Sequence, residues 1–481
     1  MNFARDVVAA APPGELAILE LARDGARREW TFGEVSAAAA GLAASLRGAG
    51  VDRGDMVLTL IGNRPEWVLT MVACFHLGAV ALPCNEQLRA KDLRQRLETA
   101  RPKLIVADER NRTELEAAQP DCRVLLVPDP ALYAGARPAP PYAELEPRDP
   151  CLITFTSGTT GEAKGIVHGQ RYLPGQRVQA EQWLDARPGE LVWCTAASGW
   201  SKSARNVFIA PWLRHAPALL HDARFDPHER VEILEREAVR ILCMAPTEYR
   251  VIAKRAEPPR HSRLRGMVAA GEALNPEVLN VFEAATGLQI RDGYGQTETG
   301  QLTGTPLGEP ARPGSMGRPL PGVALDVVDG ELVLSDPRTD PTFFVGYLDG
   351  APAPEDEPWR TGDRVGRDDD GFLYFEGRTD DVIISAGYRI GPFEVESALI
   401  THPAVAEAAV VAAPDEERGS VVRAVVVLRD GHAPSDDLKA ELQAHARRQT
   451  APYKYPRIVD FAPELPKTSS GKVRRALLRR R

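Results

Sequence analysis

The segment Thr156-Ser157-Gly158-Thr159-Thr160-Gly161-Glu162-Ala163-Lys164-Gly165 places three glycines, four hydroxyls and one lysine directly after the apolar run Leu152 to Phe155. Glycines let the backbone turn tightly and expose N–H groups, and such a loop suits an anionic phosphate chain. It is not a Walker A loop, because Lys164 precedes its glycine instead of following one. A plain surface turn would have the same glycines. The lysine decides the reading, because the chain has 9 lysines against 50 arginines. A second stretch, Asp292-Gly293-Tyr294-Gly295-Gln296-Thr297-Glu298-Thr299-Gly300, also follows a strand candidate. Its glycines admit a flat group to the backbone and Tyr294 can stack on it. Thr297 and Glu298 offer oxygens to a hard cation such as Mg²⁺ beside phosphates. A third turn, Gly271-Glu272-Ala273, again ends a strand. Ligands of open α/β sheets collect beyond the carboxyl ends of strands, so the three loops describe one site.

The elements that must carry these loops are readable in the rest of the chain. Apolar runs at 56–60, 104–107, 124–127, 151–156, 241–245, 267–270 and 288–291 alternate with helix-length segments, among them Val35 to Leu46. That is the rhythm of parallel α/β sheets. The most apolar stretch, Trp67 to Leu82, is too short to span a bilayer and reads as a buried helix followed by a strand. Residues 131–141 read as a loop. After Gly314 the runs 325–328, 331–334 and 372–376, joined by Asp-Gly turns, predict a small antiparallel sheet or barrel. The loop 351–358 reads as exposed and acidic. From about Asp380 a further unit begins. It has a strand at 382–385, a helix over 393–400, strands at 405–412 and 421–428, and a helix capped by Ser435 running to about Arg448. The expected fold class is α/β. A large N-terminal domain, residues 1–379, holds two α/β subdomains and a small β-barrel, and a small α+β domain follows at 380–481.

Composition excludes other classes. With 481 residues and a net charge of −8, the surface is not that of a nucleic-acid-binding protein. Six cysteines, none in a C-x-x-C pair, form neither a disulfide framework nor a zinc pattern. With a start that lacks a signal-peptide pattern, they suggest reduced thiols in the cytoplasm. His221, Asp222, Asp226, His228 and Glu229 match no standard ligand spacing and read as a solvated loop. The basic residues 474–481 read as a solvated terminal helix.

These loops resemble the core motifs of the adenylate-forming superfamily, which comprises acyl-CoA synthetases, stand-alone adenylation domains and luciferases. Later motifs agree, in order. Trp359-Arg360-Thr361-Gly362-Asp363 resembles the ribose-binding aspartate motif, and Gly377-Arg378-Thr379-Asp380-Asp381 the hinge. Gly387-Tyr388-Arg389-Ile390-Gly391 with Glu394 resembles the following turn. Pro466-Lys467-Thr468-Ser469-Ser470-Gly471-Lys472 resembles the catalytic-lysine motif. Gly199-Trp200-Ser201-Lys202 and Gly391 to Leu399 look most like medium-chain acyl-CoA synthetases and their aromatic-acid relatives.

The resemblance implies an ATP- and Mg²⁺-dependent ligase joining a small carboxylic acid to coenzyme A through acyl-AMP. It assigns catalysis to Lys472, Thr297 and Glu298, with Glu298 as the metal ligand. It assigns ATP and AMP to Thr156, Ser157, Gly158, Thr159, Thr160, Gly161, Lys164, Gly271, Glu272, Ala273, Asp292, Gly293, Tyr294, Gly295, Gln296, Thr297, Asp363, Arg378, Arg389 and Lys472. Ala386, Gly387 and Tyr388 would meet coenzyme A, and Asp380 would be the hinge. A slim flexible ammonium suits the transient contact expected of Lys472. Gly295 stands where acetate-specific relatives have tryptophan, which implies an acyl pocket longer than two carbons. Trp200 either lines that pocket or packs in the core. The stretch 195–199 lacks the aspartate of amino-acid-activating relatives, and Ala163 replaces a common proline. Two rivals remain at this point: an enzyme loading the pantetheine of a carrier protein, and a degenerate member that only binds nucleotide.

Overall fold

The apolar segments pair side by side in one direction, as short strands separated by helices must. The computed structural model describes residues 1–134, 138–156, 164–271, 274, 276–379, 381–385, 388–416, 418–467 and 473–479. They fall into two units. One contains residues 1–156, 164–324 and 336–358, and the other 325–335 and the chain from 359 onward.

The first unit holds two seven-stranded sheets. In one, Ile290–Gly293, Gly266–Ala270, Val239–Met244, Leu191–Cys194, Ala218–His221 and Leu16–Leu21 lie parallel, and Arg27–Thr31 closes the edge antiparallel. In the other, Pro150–Phe155, Val80–Cys84, Met56–Leu60, Leu104–Asp108 and Arg123–Val127 are parallel, with Gly165–Gly169 and Gly346–Tyr347 added antiparallel. Side chains alternate across each strand. Val57 joins a central core shared by both sheets, and its neighbour Leu58 joins a core on the outer face. The central layer contains the helices Phe32–Gly48 and Pro65–Leu77. In the latter every residue except Glu66 is buried, so it carries no polar stripe. Thr31 and Glu34 form a reciprocal capping box at the start of the former, with bonds of 3.2 and 2.8 Å.

In the second unit, Leu325–Val328, Glu331–Leu334, Trp359–Arg367 and Leu373–Arg378 form an open four-stranded antiparallel sheet. A two-stranded ribbon, Ile383–Ser385 with Tyr388–Ile390, precedes the helix Pro392–Ile400. Val405–Asp415, Gly419–Leu428 and Ile458–Phe461 form a three-stranded sheet. The helix Asp436–Gln449 packs Leu442 and Ala446 into that unit's core, and Ser435 Oγ accepts from Leu438 N at 3.1 Å.

The loop 351–358 is largely exposed, as expected, with Glu355 the exception: it is mostly buried and ion-paired with Arg148 and Arg171. Two surface expectations are corrected. His221 and Asp222 are buried. His221 Nε2 lies 3.3 Å from Glu229, Asp222 pairs with Arg110 at 3.0 Å, and Asp226 caps the helix Pro227–Arg236. The terminal helix Arg475–Arg479 is not merely solvated. Arg475 binds Glu396 at 2.7 Å, Arg479 binds Asp381, and Leu478 is buried. Local charge counts had no access to these partners, which are distant in sequence.

Candidate active site

Strands running parallel in register must end together. Cys194 lies beside Cys243, Cys243 beside Val268, and Ala270 beside Gly293, so the segments leaving these strands emerge at one sheet edge. Three of the predicted groups arise there: Gly271, Asp292 to Glu298, and Trp200 beyond Cys194. Gly271 has φ of +101°, a conformation that favours glycine, and a Cβ on it would lie 3.1 Å from Lys202 Nζ. That ammonium donates to the carbonyl of Ala270 at 3.1 Å. Asp292 accepts from the Gly293 N–H at 2.8 Å. Burial pushes its carboxyl up to about 8, against the opposing pull of the Gly293 N–H and the Lys202 charge.

Beyond Asp292, the chain makes a tight hairpin in which Gly295 and Gln296 pair with Gln301 and Gly300. A Cβ on Gly295 would land on the Gly300 carbonyl oxygen, far inside van der Waals contact. The hairpin itself therefore demands this glycine, whatever the acyl group. Thr297 and Glu298 form the tip. Gln296 N donates to Thr299 Oγ1 at 3.1 Å, Phe344 N to the Glu298 carbonyl at 2.8 Å, and Thr342 Oγ1 to the Thr299 carbonyl at 2.6 Å. The buried ring of His168 bonds the Thr297 backbone. Its proton affinity falls to about 3, through burial first and the Arg205 charge second. Tyr294 is held through its backbone by Leu302 and Thr303, at 2.9 and 3.1 Å.

Lys164 is exposed, with its ammonium 5.5 Å from the ring centre of Tyr347. Burial, and then the Glu298 carboxylate, raise the proton affinity of that phenol. Lys164 and Glu298 thus flank one tyrosine. Thr156 N donates to the Lys164 carbonyl at 2.9 Å, which closes the neck of the loop between them. Trp200 is half-buried and its carbonyl accepts from Ser203 N and Oγ at 2.9 and 2.7 Å.

In the second unit, Asp363 is buried and accepts from Arg378 Nη1 at 3.1 Å. The same guanidinium donates to the Thr361 carbonyl at 3.0 Å. Gly362, at φ of +71°, leaves room for it: a Cβ there would be 2.8 Å from Arg378 Nη2. Tyr388 is exposed and stacks on Tyr453 with ring centres 4.4 Å apart. Arg389 lies in the strand Tyr388–Ile390. A bridge joins Lys467 and Val473, the described residues on either side of 468–472.

Ser157, Gly158, Thr159, Thr160, Gly161, Glu272, Ala273, Asp380, Ala386, Gly387 and Lys472 lie outside the described residues. Lys202 and His168 were not singled out in the sequence. Lysine scarcity, used for Lys164 and Lys472, flags Lys202 equally. His168 carries no comparable signal.

The chain belongs to the AMP-binding enzyme family, which it matches over residues 6–338, with the family's C-terminal domain matching residues 394–472. It is 38% identical to the mitochondrial acyl-coenzyme A synthetase ACSM4 of Rattus norvegicus, over 99% of this chain and 90% of that one. It is 37% identical to the uncharacterized acyl-CoA ligase YtcI of Bacillus subtilis strain 168, over 95% and 91%. A benzoate CoA ligase from Burkholderia xenovorans LB400 superposes with a TM-score of 0.88 at 26% identity, covering all of both chains.

Proposed function

We propose that the protein is an ATP- and Mg²⁺-dependent carboxylic acid–CoA ligase acting on a medium-chain fatty or aromatic acid. The observation that carries this is the common sheet edge at which Gly271, Asp292 and the Gly295–Gly300 hairpin emerge, in a chain similar to such ligases along its length. A carboxylate oxygen attacks the α-phosphorus of ATP and pyrophosphate leaves. The coenzyme A thiol then attacks the acyl carbon and AMP leaves. Thr156, the loop 157–161 and Lys164 hold the phosphates. Gly271 to Ala273 and Asp292 to Thr297 frame the adenine and phosphate. Asp363, oriented by Arg378, takes the ribose hydroxyls, with Arg389 nearby. Glu298 and Thr297, fixed at the hairpin tip, are the oxygen ligands for Mg²⁺, which offsets phosphate charge when bound. Lys472 stabilises charge on the α-phosphorus. Ala386, Gly387 and Tyr388 meet coenzyme A after the second domain turns about Asp380. Six free cysteines, five of them buried, suit a reducing cytoplasm. Among the described residues, no helix is long and apolar enough to cross a membrane.

The test is pyrophosphate release from ATP with acetate through dodecanoate and substituted benzoates, with and without coenzyme A. The expected result is turnover with acids longer than acetate, dependent on coenzyme A for thioester. Pyrophosphate release with none of these acids, or thioester formation only on a carrier-protein pantetheine, overturns the proposal.

A further inference from the structure

One turn beyond Lys202, the side chain of Arg205 enters the interior instead of leaving it. It is 4% exposed, and its neighbours along the chain, Ala204, Val207, Phe208 and Ile209, are all buried in the central core. A guanidinium cannot shed its proton, so a buried one requires a counter-charge or a full set of acceptors. Among the described residues Arg205 has neither: its Nε and Nη1 atoms are buried with no hydrogen-bond partner there, and no carboxylate pairs with it. The Tyr172 hydroxyl is its one hydrogen-bonding neighbour among the described residues, and a phenol brings no charge. On the next residue, Asn206 Nδ2 is likewise buried and unpaired, while its Oδ1 accepts from Gln179 at 2.9 Å.

The position of this charge relates it to the site. It is near enough to His168, whose ring bonds the Thr297 backbone, and to Cys243, at the carboxyl end of its strand, to act on both. Arg205 begins a π-helical turn, Arg205–Ile209, in the segment that starts at Ser201, and such wide turns recur at functional sites. Lys202 reaches Gly271 at the sheet edge, and Arg205 lies one helical turn further along. An acid bound with its reacting carboxylate at that edge and its chain along this turn would bring its far end toward Arg205.

We infer that Arg205 is a specificity residue that binds a second carboxylate at the far end of the acid, so that the preferred substrates are dicarboxylic. This rests on the acid–CoA ligase reading. A carboxylate supplies both the missing charge and two acceptors for the unpaired Nε and Nη1. A neutral hydroxyl or methyl terminus would leave the charge uncompensated, so the same pocket discriminates against it.

The experiment compares kcat/KM by pyrophosphate release for matched pairs: adipate with hexanoate, suberate with octanoate, terephthalate with benzoate. For the native enzyme we expect the diacid to be preferred in at least one pair by about 100-fold, the scale of a desolvated charge pair. In Arg205→Met the diacid should lose that factor, chiefly through KM, while the matched monoacid gains. Arg205→Lys should retain part of the diacid preference. Preference for the monoacid in every pair by the native enzyme overturns the inference and leaves the ligase reading standing. Equal loss of both members of each pair in a folded Arg205→Met, judged by its denaturation midpoint, also overturns it. Release with no acid of any kind overturns the ligase reading instead.

Discussion

Asp292 ends its strand with a carboxyl that burial holds in the protonated form up to about pH 8. Its unfolded counterpart releases the proton near 3.8. Between these values the native protein binds a proton that the unfolded chain has lost, so stability falls as pH rises through this window. The contribution is fully present below it and gone above it. In Asp292→Asn, which cannot ionise, the decline in urea midpoint between pH 5 and pH 8 should be shallower than in the native protein. Equal slopes would show that this carboxyl does not titrate in that window. His168 works in the opposite sense. Its depressed proton affinity makes the folded state lose stability as pH falls below about 6.5, the ordinary histidine value. At this scale the sequence was partly legible. The types and spacing of Asp292 to Glu298 were enough to nominate them as a candidate site. The scarcity of lysine flags Lys202, but its contact was not readable, because its partner, the Ala270 carbonyl, is 68 residues further on.

At the scale of elements, the hairpin through Gly295 makes a prediction that separates backbone from pocket. Gly295→Ala should destabilise the protein by about 2 kcal/mol, the usual cost of forcing atoms into filled space. It should lower turnover for all acids alike, because Thr297 and Glu298 move with the hairpin. A shift of preference toward short acids at unchanged stability would show the glycine to be a pocket determinant. Elements defined by local signals were the most readable. Met56–Leu60 and Leu325–Val328 form where alternating or continuous apolar runs require them, and Ser435 caps its helix as a side chain three residues before an N–H can. Elements whose order depends on distant partners were not readable. Nothing near Leu16–Leu21 indicates that Ala218–His221 pairs with it. The four-stranded sheet reads equally well as a barrel until its edges, Leu325–Val328 and Leu373–Arg378, are seen to have no joining pair among the described residues.

At the scale of the whole molecule, the predicted roles are divided between two units. Thr156, Lys164, Gly271 and Asp292 to Glu298 belong to the first, and Asp363, Arg378 and Arg389 to the second. Lys472→Ala should slow acyl-AMP formation by about 100-fold, as loss of a charge-stabilising donor does. Thioester formation from supplied acyl-AMP should be spared. Rapid-quench measurement of each half-reaction checks this, and equal loss in both would remove Lys472 from the first step.

The sheet order also has a consequence for synthesis. Leu16–Leu21 is made about 200 residues before one of its neighbours, Ala218–His221, and the sheet finishes only with Ile290–Gly293. Until Ala218–His221 is made this apolar strand has a single partner, Arg27–Thr31, and an open edge of the kind that recruits other chains, and the edge then passes outward along the sheet until Ile290–Gly293 is added. Nascent chains released before about residue 293 should therefore be the aggregating species and the natural clients of chaperones, whereas the second unit, made last, has its pairing partners close behind it.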